Sequence, residues 1–211
     1  MKLFSKLKYV LPVLLSLIFC NFANASNTSL DNYIKLKMKH YGVMGASVAI
    51  IENYHVVWSK GFGYRDKKKR LKVNTKTMFN VASISKPVSA VAALMTFQNK
   101  SLSLDKNINS YLTGWKIPKN HFTHNDPVTM RLLLSHTAGI TGVRCKGYPI
   151  GAKIPSLLQA LDGKSPANTP PVSVIRKPNT QWDYSPLGYL VVQKVLQDIY
   201  KKSFPEIMNQ V

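Results

Sequence analysis

From Pro87 to Phe97 the chain carries almost nothing but small and apolar side chains, with Val88, Val91, Ala92 and Met95 at helical spacing. The run stops at the polar Gln98-Asn99-Lys100. A helix apolar on nearly every side belongs in an interior, so this one is expected to be buried against a sheet. Upstream, Gly45–Ile51 is a short β-branched apolar run, Glu52-Asn53-Tyr54 reads as a turn, and His55–Gly63 reads as a second strand. Together they predict an antiparallel hairpin, whose glycines mark a bulge or a close backbone approach near the strand ends. Leu30–Tyr41 places Leu30, Tyr33, Ile34, Met38 and Tyr41 at helical spacing with lysines opposite, the pattern of a surface helix. Val128–Ser135, Ile154–Leu161 and Leu187–Tyr200 read as further helices, separated by segments that hold Pro118, Pro127, Pro149, Pro166, Pro170, Pro171 and Pro178. Strands first and helices after predicts an α+β fold rather than alternating βαβ units. Two strands offer too little surface for such a helix, so the pattern asks for more strands than the sequence contains.

The remaining composition narrows the class. At 211 residues and 45% hydrophobic, the chain is long and apolar enough for one globular domain with a small lobe. Two cysteines exclude a disulfide-rich scaffold and a four-cysteine zinc site. Lys2, Lys6 and Lys8, the apolar Tyr9–Phe22 and Ala23-Asn24-Ala25 have the layout of a cleaved export signal over residues 1–25. That apolar run is shorter than the ~20 residues a spanning helix needs, and no later segment is longer. An exported mature chain, Ser26–Val211, is therefore expected, with Cys145 its lone thiol and no membrane span. Against 9 acidic residues stand 29 basic ones, a net charge of +20 that becomes +17 without the leader's three lysines. Such a charge favours anionic partners, here acidic cell-envelope polymers. No nucleic-acid-binding motif accompanies it. The densest run, Lys67-Lys68-Lys69-Arg70, is expected to be a basic turn on a solvated surface.

Reactive chemistry concentrates in Val81-Ala82-Ser83-Ile84-Ser85-Lys86-Pro87. Ser83 falls at the predicted start of the apolar helix, and Lys86, three residues on, lies on the same face. A serine hydroxyl is a weak nucleophile until a neighbour accepts its proton, and a lysine held neutral by burial or by nearby positive charge is able to do so. The helix N-terminus also favours negative charge developing there. Ser and Lys three apart is the spacing known in β-lactamases and penicillin-binding proteins, although an N-cap serine followed by a solvated lysine gives the same pattern.

The wider sequence decides between them. Thr77–Pro87 closely resembles the nucleophile segment of the serine β-lactamase-related family, which includes class C β-lactamases, DD-peptidases and esterases. Further resemblances follow in order: Gly45–Ala49 and Val57–Gly63 to its first two strands, and Leu102–Asp105 with Tyr111-Leu112 to the stretch after the nucleophile helix. Met130–Ile140 is similar to its leucine-rich helix ending in a His-Thr-small-Gly turn, and Pro178–Ser185 with Gly188-Tyr189 to its second motif. The resemblance implies Ser83 as the acylated nucleophile, Lys86 as its proton partner and Tyr184 as a lysine-assisted general base. It implies an antiparallel sheet flanked by helices with an inserted helical lobe, organised here as residues 26–100 (hairpin and nucleophile helix) and 101–211 (mainly helical lobe).

Two features depart from the family pattern. Pro186 stands where a Tyr-x-Asn motif carries its asparagine, and no Lys-Thr-Gly or His-x-Gly segment is present, so the family's C-terminal strands are missing. Ser135 and His136 are adjacent and so cannot aim at one another as a triad requires, and the motif match makes His136 part of a structural turn. His121 and His124, in a proline-bounded loop, read as solvated rather than metal-bound. The sequence thus predicts an exported serine hydrolase without metal or cofactor. It would act through an acyl-enzyme on a β-lactam, a D-Ala-D-Ala-type peptide or an ester. The alternatives are an inactive, truncated remnant of the family and a basic protein that binds envelope polymers.

Overall fold

The structure, a computed structural model, describes residues 29–143 and 146–211. The expected export signal and both cysteines lie outside the described residues. The chain divides into two compact units, one ending at Asn80 and the other comprising Val81–Val211. The nucleophile helix belongs to the second of these units.

The first unit opens with helix α1 (residues 29–40). Strands β1 (Gly45–Glu52) and β2 (His55–Asp66) pair antiparallel, as the two apolar runs and the turn between them predict, with the register slipping between Ile50 and Ile51. Asn53 and Tyr54 turn the chain with φ of 49° and 66°, the left-handed pair that matches the twist of a two-residue hairpin. At Gly63, φ is +68° and an added Cβ would lie 2.1 Å from the Met44 carbonyl oxygen, so only glycine fits this edge of the pairing. A third strand, β3 (Leu71–Lys72), extends the hairpin to the order β1-β2-β3. It follows the exposed Lys67–Arg70 turn, in which the Asp66 carboxylate accepts the Lys69 amide at 3.0 Å. Two residues are too few to show periodicity, which is why the sequence predicts a hairpin alone. Phe62 and Val73 supply the buried apolar side chains of this unit.

The second unit is helical. A 3-10 turn (Ala82–Ile84) leads into α2 (Ser85–Asn99); α3 (Met130–Leu134), α4 (Leu157–Asp162), α5 (Pro186–Tyr200) and α6 (Phe204–Gln210) follow. Helix α5 is the centre, touching α2, α3, α4 and α6. Its Leu187, Val191, Val192, Val195 and Leu196 are fully buried, at the spacing of one broad helical face. Phe97, Met130, Leu133, Leu161 and Ile207 close over that face from the other helices. At its C-terminal half, Lys194 pairs with Asp198 and donates to the Thr113 carbonyl at 2.8 Å, while Asp198 accepts the Thr113 amide at 2.8 Å.

Three helices differ from expectation. Helix α4 begins at Leu157 rather than at Ile154, because Ser156 and Gln159 form a reciprocal capping box behind Pro155. Helix α6 was not anticipated; its signal is the short Ser203-Phe204-Pro205-Glu206, a capping box with proline in the first turn. Helix α2 is not buried all round. Ala92, Ala93, Thr96 and Phe97 are interior, on the flank that α5 covers, whereas Val88 and Val91 each remain 55% exposed. Composition reports what a helix is able to bury, not what covers it.

Candidate active site

Ser83 lies in the 3-10 turn that precedes α2, not in the α-helix itself. The 3-10 turn runs directly into α2, so Lys86 in its first turn lies on the same face as Ser83, three residues before it. The Lys86 ammonium donates to Ser83 Oγ at 2.9 Å. Ala82, just before the nucleophile, has φ of 44°, a left-handed conformation that costs an alanine about 1–2 kcal/mol. Local strain of this kind clusters at sites whose surroundings hold it in place.

Tyr184 reaches the same oxygen from 101 residues away, its hydroxyl donating to Ser83 Oγ at 2.6 Å. Lys86 Nζ also sits 5.0 Å from the Tyr184 ring centroid and 5.8 Å from that of Tyr189. Hydrogen bonds strap the segment carrying Tyr184 to the loop after α3. The Asn179 amide donates to the Thr137 carbonyl at 2.9 Å, and the Asp183 amide to the His136 carbonyl at 2.8 Å. Arg176 pairs with Asp183, and the Ser185 hydroxyl donates to the Thr141 carbonyl at 2.9 Å. Ser185 also caps α5, accepting the Gly188 amide at 3.1 Å. Gly139 permits the strap: its φ is +69°, and a Cβ there would lie 2.3 Å from the Arg176 carbonyl oxygen. Tyr184 thus stands one residue before the cap of a 15-residue helix, whose N-terminal dipole favours an anion.

His136 belongs to this constellation, though not as a partner of Ser135. The Ser135 hydroxyl instead donates to the Arg131 carbonyl at 2.9 Å and bonds Thr137 Oγ1 at 2.7 Å. The His136 ring packs on Tyr184 with centroids 4.7 Å apart and on Tyr189 at 5.3 Å, and its Nδ1 accepts the Ser185 amide at 3.2 Å. Burial, then the charge of Lys86, hold its pKa below the usual imidazole value, against the opposing pull of Asp183. Burial and the neighbouring Tyr184 push Tyr189 upward. Because the folded state keeps His136 neutral, the stability it contributes is complete above the unfolded value of about 6.5 and is lost as pH falls through the lower folded value. Thermal melting of the chain is expected to decline on acidification from about pH 7 to pH 5, and less steeply in His136→Gln.

The sequence had singled out Ser83, Lys86 and Tyr184, and the structure brings all three together. It did not anticipate His136 and Tyr189 at the site; their signal was only their place in the two family motifs. His121 and His124 are apart from the site, stacked on Phe122 and bonded to Asn125 respectively. Among the described residues no group of His, Cys, Asp and Glu could hold a metal, and no helix is long and apolar enough to cross a membrane. Pro186 occupies the first position of α5, where a missing amide hydrogen is harmless. The site therefore has a hydroxyl flanked by an amine and a phenol, a combination able to strip and return a proton.

The β-lactamase family model matches residues 30–211. The chain belongs to the β-lactamase family. Protein flp of Staphylococcus aureus (strain N315) is 26% identical over 195 residues, a match covering 88% of this chain and 36% of flp. The octameric penicillin-binding protein homologue from Pyrococcus abyssi superposes with a TM-score of 0.64 at 26% identity, covering 87% of this chain and 41% of that one. A β-lactamase/D-alanine carboxypeptidase from Yersinia pestis shares the fold with a TM-score of 0.65 at 19% identity, covering 82% and 48%. This β-lactamase-family chain thus spans less than half the length of each of these relatives. Its α+β architecture, a small antiparallel sheet plus helices, is that of the family.

Proposed function

We infer that the chain carries the reaction centre of an exported serine hydrolase that works through an acyl-enzyme on Ser83. The observation that carries this reading is the convergence of Lys86 Nζ and the Tyr184 hydroxyl on Ser83 Oγ, at 2.9 and 2.6 Å. The positive charge of Lys86 and the first turn of α5 favour the phenolate of Tyr184. That phenolate takes the Ser83 proton as Oγ attacks the acyl carbon, then passes it to the departing amine or alcohol. Water, deprotonated the same way, attacks the ester formed on Ser83, and the serine leaves with the proton. The substrates this chemistry fits are a β-lactam, a D-Ala-D-Ala-type peptide or an ester. The test is covalent labelling of the purified chain with a fluorescent fluorophosphonate and a fluorescent penicillin. A label on Ser83 that disappears in Ser83→Ala is expected; a folded chain that stays unlabelled, or labels equally in the variant, overturns the reading.

The charge supports a second, separable property, adhesion to anionic envelope polymers. Its net value is +20, and its densest run, Lys67–Arg70, is an exposed turn. Retention on cell-wall polymer is expected at low ionic strength and should be lost as salt shortens the screening length from about 30 Å at 0.01 M to about 8 Å at 0.15 M. Salt-independent retention, or none, removes this reading.

A further inference from the structure

The second unit contains a cavity of about 470 Å³ between α2, α4, α5 and the loops at 147–148 and 168–169. Lys86 belongs to its wall and is also the residue bonded to Ser83, so one side chain links the cavity to the reacting oxygen. Leu157 and Ala160 of α4, Leu187 and Leu190 of α5 and Phe204 of α6 give most of the lining its apolar character. The outer wall is tied together rather than loosely apposed. The Asn168 amide donates to the Tyr148 hydroxyl at 3.1 Å, and its side chain donates to the Gly147 carbonyl at 2.7 Å. On α2, the Ser89 hydroxyl is turned back onto the Ser85 carbonyl at 2.8 Å, so its proton is not offered to a ligand. Lys86 is the one charged lining residue, and none is acidic. At the mouth stands Pro186, two residues after Tyr184, whose ring gives an apolar surface where the family pattern has an amide.

We propose that this cavity is the acyl-binding pocket of Ser83 and that it selects esters of medium-length apolar acyl groups. The proposal rests on Ser83 being the nucleophile. The size is in the range of ligand pockets, with room for on the order of ten methylene-sized groups. An alkyl or arylalkyl chain needs no partner and gains about fourfold in affinity per methylene buried. In the reaction Ser83 Oγ bonds to the acyl carbon and the alcohol departs with the serine proton. The chain stays in the cavity until water releases it as a carboxylic acid.

The test separates the pocket from the nucleophile. The Ser83→Ala chain is titrated with straight-chain amides from acetamide to octanamide, followed by NMR. The dissociation constant is expected to fall about fourfold per added methylene. Ala160→Trp in the same background fills the cavity and should flatten the series. Ser89→Phe, which enters from α2, serves the same purpose should the first variant lose its cooperative melt. In parallel, on chains retaining Ser83, a small fluorophosphonate should label the parent at Ser83, and p-nitrophenyl octanoate should lose its advantage over the acetate in Ala160→Trp. Labelling at Ser83 with no dependence on chain length overturns the pocket and leaves the nucleophile. Dependence on chain length without labelling overturns the nucleophile, and the acyl role with it, leaving an apolar ligand site.

Discussion

Replacing Tyr184 by phenylalanine is expected to slow acylation at Ser83 by about 10²–10⁴-fold, the usual range for losing a positioned proton acceptor. The change removes one oxygen, 2.6 Å from the nucleophile, and leaves the ring against His136 and beneath Lys86. The strap around residue 184 is made by Asp183, Ser185 and Arg176, which Tyr184→Phe leaves in place. Thermal melting should therefore change little, and the loss should fall on the rate of labelling. Lys86→Met is expected to be comparably damaging, because it removes the other group bonded to Ser83 Oγ. The double variant should cost little more than the worse single, since the two groups act on one proton. A Tyr184→Phe chain that acylates as fast as its parent would remove Tyr184 from the chemistry and leave Lys86 as the acceptor.

The largest loss of stability is expected from Leu196→Ala, on the order of 2–5 kcal/mol. Leu196 is fully buried on α5, the helix that every other helix after the nucleophile turn packs against. Truncation leaves a space in the middle of the core cluster, and the rigid helices around it are able to close it only in part. Against a typical total of about 5–15 kcal/mol, such a loss is a large share of what holds a domain together. Urea denaturation of parent and variant measures it directly. Leu158→Ala, on the outward face of α4 and 46% exposed, is the contrasting control and should cost far less.

What could be read from the residues depended on how local each cause is. The β1–β2 hairpin announces itself through its β-branched apolar run and turn residues and α5 through a long apolar stretch, and both stand where expected. Ser83 and Lys86 are three apart, so local winding alone joins them. Tyr184 was reached only through resemblance, because no spacing rule connects residues 101 apart. The place of His136 depends on the loop after α3 meeting the segment before α5, a contact no short window of sequence contains. The two-residue β3 and the seven-residue α6 are too short to carry a period. The apolar cavity was invisible for a related reason: Leu157, Leu190 and Phe204 look like core residues, and only packing shows that a space remains between them.

The strap around Tyr184 also orders events in time. Ser83 and Lys86 emerge from the ribosome about a hundred residues before the phenol does. The phenol reaches its post only when the loop after α3 has accepted the amides of Asn179 and Asp183. Until then, on the proposed mechanism, Ser83 carries an ordinary alcohol with Lys86 beside it and no phenol. On the proposed mechanism, reactivity at this serine would report that the segment before α5 has docked on the loop after α3.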